Sequence, residues 1–221
     1  MRRPRAPTIL APRVNVLHLI TELDIGGAEQ QLVTLARAFD RARHPLTVAY
    51  LHGTAALRPT LEQAGIPVIP LHSRHKADLR ALFRLRRLVR ERRIDLLHTH
   101  LIQADLLGTL AGAPLHVSTK HSLDYFACHP GWLKKLDAHA TRRCAKIIAV
   151  SNAVRDRYLS VTTNIEVIPN GLDLAGIAAT PAAPRTAGKT IIAVGKLSER
   201  KGQADLLADR KSTRLNSSHR T

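Results

Sequence analysis

Apolar residues along the chain gather in short runs, separated by stretches where they recur every three or four positions. That is the pattern of strands alternating with helices. The first run, from Val14, carries Val16, Leu17, Leu19 and Ile20 as a buried strand. A glycine turn at Gly26 and Gly27 follows, and a helix opens at Ala28 with Leu32, Val33, Leu35 and Ala36 on one face, ending near Phe39. Leu46 to Leu51 predicts a second strand, Leu57 to Ala64 a helix stopped by Gly65, and Val68 to Leu71 a third strand. Asp78 to Arg93 predicts an amphipathic helix whose apolar stripe is Leu79, Leu82, Phe83, Leu85, Leu88 and Val89, with arginines filling the other face. Leu96 to Thr99 is the next strand and runs into His98-Thr99-His100. Helices over Gln103 to Ala111, Trp132 to Arg143 and Asn152 to Leu159, the last capped by Ser151, alternate with strands at His116 to Lys120, Ile147 to Val150 and Ile165 to Pro169. The turn Asn170-Gly171 closes the series.

Such alternation predicts an α/β fold: a Rossmann-like parallel sheet with helices on both faces, built from βαβ units. Ligands of these sheets bind beyond the carboxyl ends of the strands, where Gly26, Gly27, His100 and His121 all fall. Backbone N–H groups at the helix start after Gly26 and Gly27, aided by the helix dipole, suit an anionic group such as a phosphate. A plain βα turn that binds nothing is the competing account. Glu29 lies in the first helical turn, where the dipole stabilises a carboxylate. His98 and His100 project to one side of their strand and suggest a metal pair. No acidic or cysteine residue nearby completes a ligand set, so no metal is expected.

Composition narrows the setting. Aromatics make up only 3% of the 221 residues against 44% hydrophobic, so the core must be built from Leu, Ile, Val and Ala. A formal charge of +17 draws the chain toward anionic lipid, nucleic acid or phosphorylated substrates without choosing among them. Cys128 and Cys144 are too few for a disulfide framework and are not spaced as a zinc site, which fits a reducing compartment. Pro7, Pro12 and Arg13 interrupt any signal-peptide core behind the basic N-terminus, and no run reaches membrane-spanning length. A cytoplasmic protein is expected. The arginine-rich helix leaves attachment to an anionic inner membrane face open, against the plainer reading of a solvated basic face.

Residues 1–13 read as a basic extension and 14–173 as the main domain. Residues 174–189, rich in Ala, Pro and Gly, read as a linker. TIIAVGKLSERKG restarts a strand and turn, so 190–210 read as the unfinished start of a second α/β domain. Residues 211–221 lack apolar periodicity, cut across the preceding helix and read as non-native, translated adapter or vector sequence.

The ordered set GGAEQ, LLHTH, STKHS, IIAVSNAVRD, VIPNGLD and VGKLSERKG resembles the retaining glycosyltransferases of family 4 over about Val14 to Leu207. That family has the GT-B fold, two Rossmann-like domains facing each other across a cleft. The resemblance implies an N-terminal acceptor-side domain followed by the start of a donor-binding domain. It implies transfer of a sugar from a nucleotide-sugar donor to an acceptor hydroxyl, with retained configuration and no obligatory metal. Gly26 and Gly27 would then approach the donor's phosphate, and Lys196 and Lys201 would hold the diphosphate leaving group by stabilising its developing charge. The first of those two positions is usually arginine in the family, so Lys196 offers a point charge in place of a two-pronged fork. His121 matches the family histidine beside the transferred sugar. His100, Glu29, Asn170 and Gly171 would contact substrate, and Tyr125, Phe126 and Trp132 would either stack on sugar or pack under their loop. The acceptor is not specified; a lipid-linked molecule and a glycan both fit. Most of the donor domain falls outside these residues, so the 221-residue chain alone is expected to be inactive.

Two other classes compete. An NAD-binding oxidoreductase is disfavoured because the first turn reads DIGGAE, not G-x-G-x-x-G, and VAYLH ends without an acidic ribose ligand. A basic, non-enzymatic nucleic-acid-binding protein is disfavoured because sequence-recognition motifs are absent and the arginines mostly occupy one helix face or the tail.

Overall fold

The structure, a computed structural model, describes residues 13–75, 78–122, 130–181, 192–195 and 202–209. Its seven strands are β1 (Val16–Glu22), β2 (Leu46–His52), β3 (Val68–Pro70), β4 (Leu96–His100), β5 (Leu115–Lys120), β6 (Lys146–Ala149) and β7 (Ile165–Val167). They form one sheet in the order β3-β2-β1-β4-β5-β6-β7, with every neighbouring pair parallel. The chain builds outward from β1 to β3, then returns to lay β4 on the other side of β1. This reversal opens a crevice at the carboxyl ends of β1 and β4.

Strand alternation divides the core between the two faces. Val16 and Ile20 of β1, with Val48 and Tyr50 of β2, pack beneath Leu32, Val33 and Ala36 of helix α1 (Gly27–Ala38). Leu17, Leu19, Ala49, Leu51 and Leu97 point the other way. They are covered by Leu82, Leu85, Leu88 and Val89 of α3 (Leu79–Glu91) and by Ala104 and Leu107 of α4 (Ile102–Thr109). The remaining helices are α2 (Arg58–Gln63), α5 (Gly131–Arg143), α6 (Asn152–Tyr158) and α7 (Leu174–Ala179). Ser151 caps α6 by accepting from the Val154 N–H, and Asp78 caps α3 by accepting from the Arg80 N–H at 2.9 Å.

Three local expectations are corrected. Leu79 and Phe83 do not belong to the buried stripe of α3: they are 66% and 63% exposed. At 100° per residue they fall in the arc of Arg86 and Arg90, away from the sheet. Gly26 is extended (φ −162°, ψ 171°) and Gly27 is the first helical residue, so neither needs glycine's left-handed freedom to make the turn. The strand expected at TIIAV is not formed over described residues 192–194, where Ile192 and Val194 are exposed, since a lone strand has no ladder to join.

The chain divides into two compact units, residues 1–174 and 175–221. Within the second, residues 203–209 are helical. Helix α7, which begins at Leu174 inside the segment read as linker, buries none of its residues.

Candidate functional site

The crevice at the end of β4 is lined by histidine. His98 and His100 share the α1 side of β4, and the register sets His18 of β1 directly beside His98. Thr119 of β5 lies beside His100, and His121 follows it just past the strand end. These positions alternate with core residues, so the sheet itself carries the rings to one place. His18 and His100 are 1% and 2% exposed.

The rings form a chain. Nδ1 of His18 lies 2.9 Å from Nε2 of His100, and Nδ1 of His100 lies 2.9 Å from Nε2 of His121. Nε2 of His98 lies 2.7 Å from the Thr119 hydroxyl. Burial lowers the pKa of His18 and of His121 to about 4, the latter against an opposing pull from Asp105. Burial, reinforced by the neighbouring rings, holds His98 and His100 well below the usual histidine value. All four are therefore neutral at pH 7, each ring with one N–H and one lone pair. Nδ1 of His121 is buried with no hydrogen-bond partner among the described residues, so among them the chain stops on an unsatisfied atom.

One nitrogen from each of His18, His98 and His100 falls within 4.8 Å of the others, close enough to suggest convergence on one ion. The 2.9 Å separation of His18 and His100 is, however, that of an N–H···N hydrogen bond. Two nitrogens each about 2.0–2.1 Å from a tetrahedral zinc would stand about 3.4 Å apart. As arranged, the cluster is hydrogen-bonded to itself.

Above the rings lies a cleft of about 510 Å³. Its floor is His18, His98, His100, Thr119, His121 and Ile148; its walls are Thr34 and Leu35 of α1 and the loop after β7, from Ile168 to Gly171. Gln31 of α1 joins the walls, its carboxamide oriented to accept from the Gly171 N–H at 3.0 Å and to donate to the Gly171 carbonyl at 3.1 Å. Of the residues singled out from the sequence, His100, His121, Asn170 and Gly171 thus share one cleft.

Gly26, Gly27 and Glu29 do not line it. They form the α1 N-terminus, where no side chain caps the helix and the space over Gly27 is open. The half-buried Glu29 carboxylate lies against Gly26, and its pKa is raised by burial and then by Glu22 and Asp24. The helix start is therefore already faced by carboxylates. Lys196, Lys201, Tyr125, Phe126 and Cys128 lie outside the described residues, and Trp132 is exposed in the first turn of α5.

On the opposite side of the same strand ends sits a second polar cluster. Lys120 Nζ donates to Asp105 and to Asp137, each at 2.8 Å, and all three side chains are buried. Asp105 also accepts from Thr99 and from Ser118 at 2.8 Å, and Asp137 accepts from the Tyr158 hydroxyl at 2.9 Å. Burial pulls the Lys120 pKa down, but the two carboxylates raise it above the ordinary lysine value. Burial pushes the nearby Cys144 thiol up to about 12. A cavity of about 60 Å³ is bordered by both Lys120 and His121, so the two clusters meet there.

His18, Thr119, Lys120, Asp105 and Asp137 escaped sequence reasoning. For His18 the signal was available: it shares the parity of Val16 and Ile20, so a β1–β4 pairing would have set it against His98. A lysine within a buried strand asks for a carboxylate, but nothing local picks Asp105 on α4 and Asp137 on α5.

None of the curated proteins matches the chain in sequence. Among solved structures, Anabaena Alr3699/HepE in complex with UDP and glucose is similar at a TM-score of 0.62 and 21% identity, over 74% of this chain and 46% of that one. Sucrose-phosphate synthase from Thermosynechococcus elongatus is similar at 0.57 and 15% identity, over 73% and 49%. The lipopolysaccharide outer core galactosyltransferase WaaB is similar at 0.56 and 13% identity, over 72% and 46%. At these identities the likeness is one of fold, and the chain spans about half the length of each structure. The model of Glycosyltransferase Family 4 matches residues 25–175, a stretch that contains α1, the His98–His100 pair, His121 and the Asn170–Gly171 turn. The chain belongs to glycosyltransferase family 4.

Proposed function

We propose that the full protein transfers a sugar from a nucleotide-sugar donor to an acceptor hydroxyl with retained configuration, and that this chain is its acceptor-side half. The observation that carries the reading is the buried Nδ1 of His121, without a partner among the described residues, on a residue at the strand end that lines the cleft. A neutral imidazole there hydrogen-bonds a hydroxyl of the transferred sugar and orients it without acting as nucleophile. His100, Asn170 and Gly171 contribute the cleft in which substrate lies. That Anabaena HepE has been solved with UDP and with UDP-glucose supports a nucleotide-sugar donor.

The free amides at Gly26 and Gly27 receive the donor's phosphate, with Glu29 swinging aside to admit it. Lys196 and Lys201 hold the diphosphate as its charge develops, which removes the need for a metal ion. Without the rest of the donor-binding half, the 221-residue chain does not turn over.

Location at a membrane is part of the proposal. Among the described residues no helix is long and apolar enough to cross a bilayer. Exposed Leu79 and Phe83 standing among the arginines of α3 support contact with an anionic cytoplasmic surface, where a lipid-linked acceptor would be found. Flotation with vesicles that contain anionic lipid should carry the protein upward, and neutral vesicles should not.

The deciding experiment is incubation of the full-length protein with a panel of nucleotide sugars, with product anomers assigned by NMR. Release of nucleoside diphosphate with an anomer matching the donor is expected. Inertness toward the whole panel, or an inverted product, refutes the reading.

A further inference from the structure

The three hydrogen-bonded rings constrain one another in a way no single histidine would. Each is neutral, so in each ring one nitrogen donates and the other accepts. With two N···N contacts of 2.9 Å in series, only two uniform arrangements exist. In one, His18 Nδ1–H donates to His100 Nε2, His100 Nδ1–H donates to His121 Nε2, and His121 is left with an N–H at Nδ1. In the other, every proton sits on the opposite nitrogen, and His121 presents a bare lone pair at Nδ1.

Electrostatics chooses between them. The first arrangement puts the positive end of the aligned ring dipoles at His121. His121 shares the lining of a small cavity with the Lys120 cluster, whose two carboxylates and single ammonium leave one net negative charge. Asp105 already acts on His121 in the sense of favouring positive charge there. At the far end His18 hydrogen-bonds His100 and packs edge-on against Phe39, and no acceptor among the described residues rewards the reversed arrangement.

We propose that His18 and His100 are positioning residues that fix His121 as the Nδ1–H tautomer, giving the cleft a directed N–H donor for a ligand oxygen, either a sugar hydroxyl or a phosphate oxygen. The ligand class rests on the function proposed above; the tautomer does not. A free neutral histidine prefers its proton on Nε2, so three rings held in the Nδ1–H form are a specific signature. His18, on the central strand and two hydrogen bonds away from His121 Nδ1, thereby sets whether the site donates or accepts.

The test is long-range ¹H–¹⁵N correlation NMR of the 221-residue chain, labelled with ¹⁵N-histidine, at neutral pH. Rings 18, 100 and 121 should each show a protonated Nδ1 and a bare Nε2. His18→Phe keeps a flat ring but deletes the donor, and should shift the His121 tautomer ratio toward Nε2–H by about fivefold or more, the effect of losing one hydrogen bond. His18→Asn restores an N–H near the original Nδ1 and should return the wild-type pattern. An Nε2–H signal at His121 in the wild type, or a His121 tautomer untouched by His18→Phe, overturns the proposal. So does uptake of one equivalent of zinc that is abolished by His98→Asn, because a bound ion would consume the lone pairs that the chain requires. If His18→Phe does not fold, the wild-type spectrum still decides. Failure of the donor panel would leave these spectra unchanged, so the two readings fail separately.

Discussion

The two buried polar clusters at the ends of β4 and β5 are built from alternating residues of the same strands, yet they solve opposite problems. Thr99, Ser118 and Lys120 face a closed ionic network in which every charge has a partner. His98, His100, Thr119 and His121 line or adjoin a cleft and stay neutral, with the buried His121 Nδ1 unsatisfied among the described residues. A buried charge without its partner is far more costly than a neutral ring without one. The closed side therefore ties the strand ends to α4 and α5, and the open side borders a cleft.

The sharpest way to break the contrast is Lys120→Met, which strands two buried carboxylates. It should destabilise the fold by about 3–5 kcal/mol, read as a lowered denaturant midpoint. A wild-type midpoint would mean that the network is dispensable.

Acid should act on the histidine side. The lowered pKa values mean that the unfolded chain takes up protons below about 6.5 while folded His18 and His121 stay neutral until about 4. Stability should accordingly fall as pH drops through that window, each ring contributing about 1.4 kcal/mol per pH unit. Lys120, raised in the folded state, contributes its stability below the ordinary lysine pKa and loses it only in strong alkali, so it adds no slope in this window. His18→Phe should flatten the acid limb of a pH series of melts; an unchanged limb would assign the slope elsewhere.

Removing the open end should separate function from stability. On the function proposed above, His121→Ala in the full-length protein should lower kcat about 10–100-fold, as expected when a bond that orients the sugar is lost, while stability changes by less than about 1 kcal/mol. A collapsed fold with the remaining activity proportional to folded protein would make His121 structural. The smallest effects compare like with like. Ser118→Ala removes a hydroxyl from a charged acceptor and should cost about 1.5–3 kcal/mol, against about 1 kcal/mol for Thr119→Val, which removes one from neutral His98. Equal costs would erase the distinction between the two faces.

How much of this could be read from the sequence follows the range of the interactions involved. All seven strands were legible because β-rich apolar runs are bounded by local signals, and Ser151 announced the cap of α6. Leu79 and Phe83 were misassigned because a stripe drawn by spacing alone does not say where the arc facing the sheet ends. Residue type alone suggests a turning role for Gly26, yet its extended backbone is one any residue can adopt. In the candidate site, His100 and His121 could be singled out because each closes a strand, and Asn170 and Gly171 because they close the series. Their linkage through His18 depends on strand order, and the partners of Lys120 come from two helices whose approach is set only by packing. Long-range pairing of this kind leaves no periodic trace.

The clasp between Gln31 and Gly171 has a consequence for the cleft. The first helix and the last loop of the main unit, far apart along the chain, are fastened by two uncharged hydrogen bonds. One wall of the cleft is therefore joined across the chain by neutral bonds, which salt screens far less than it would an exposed ion pair.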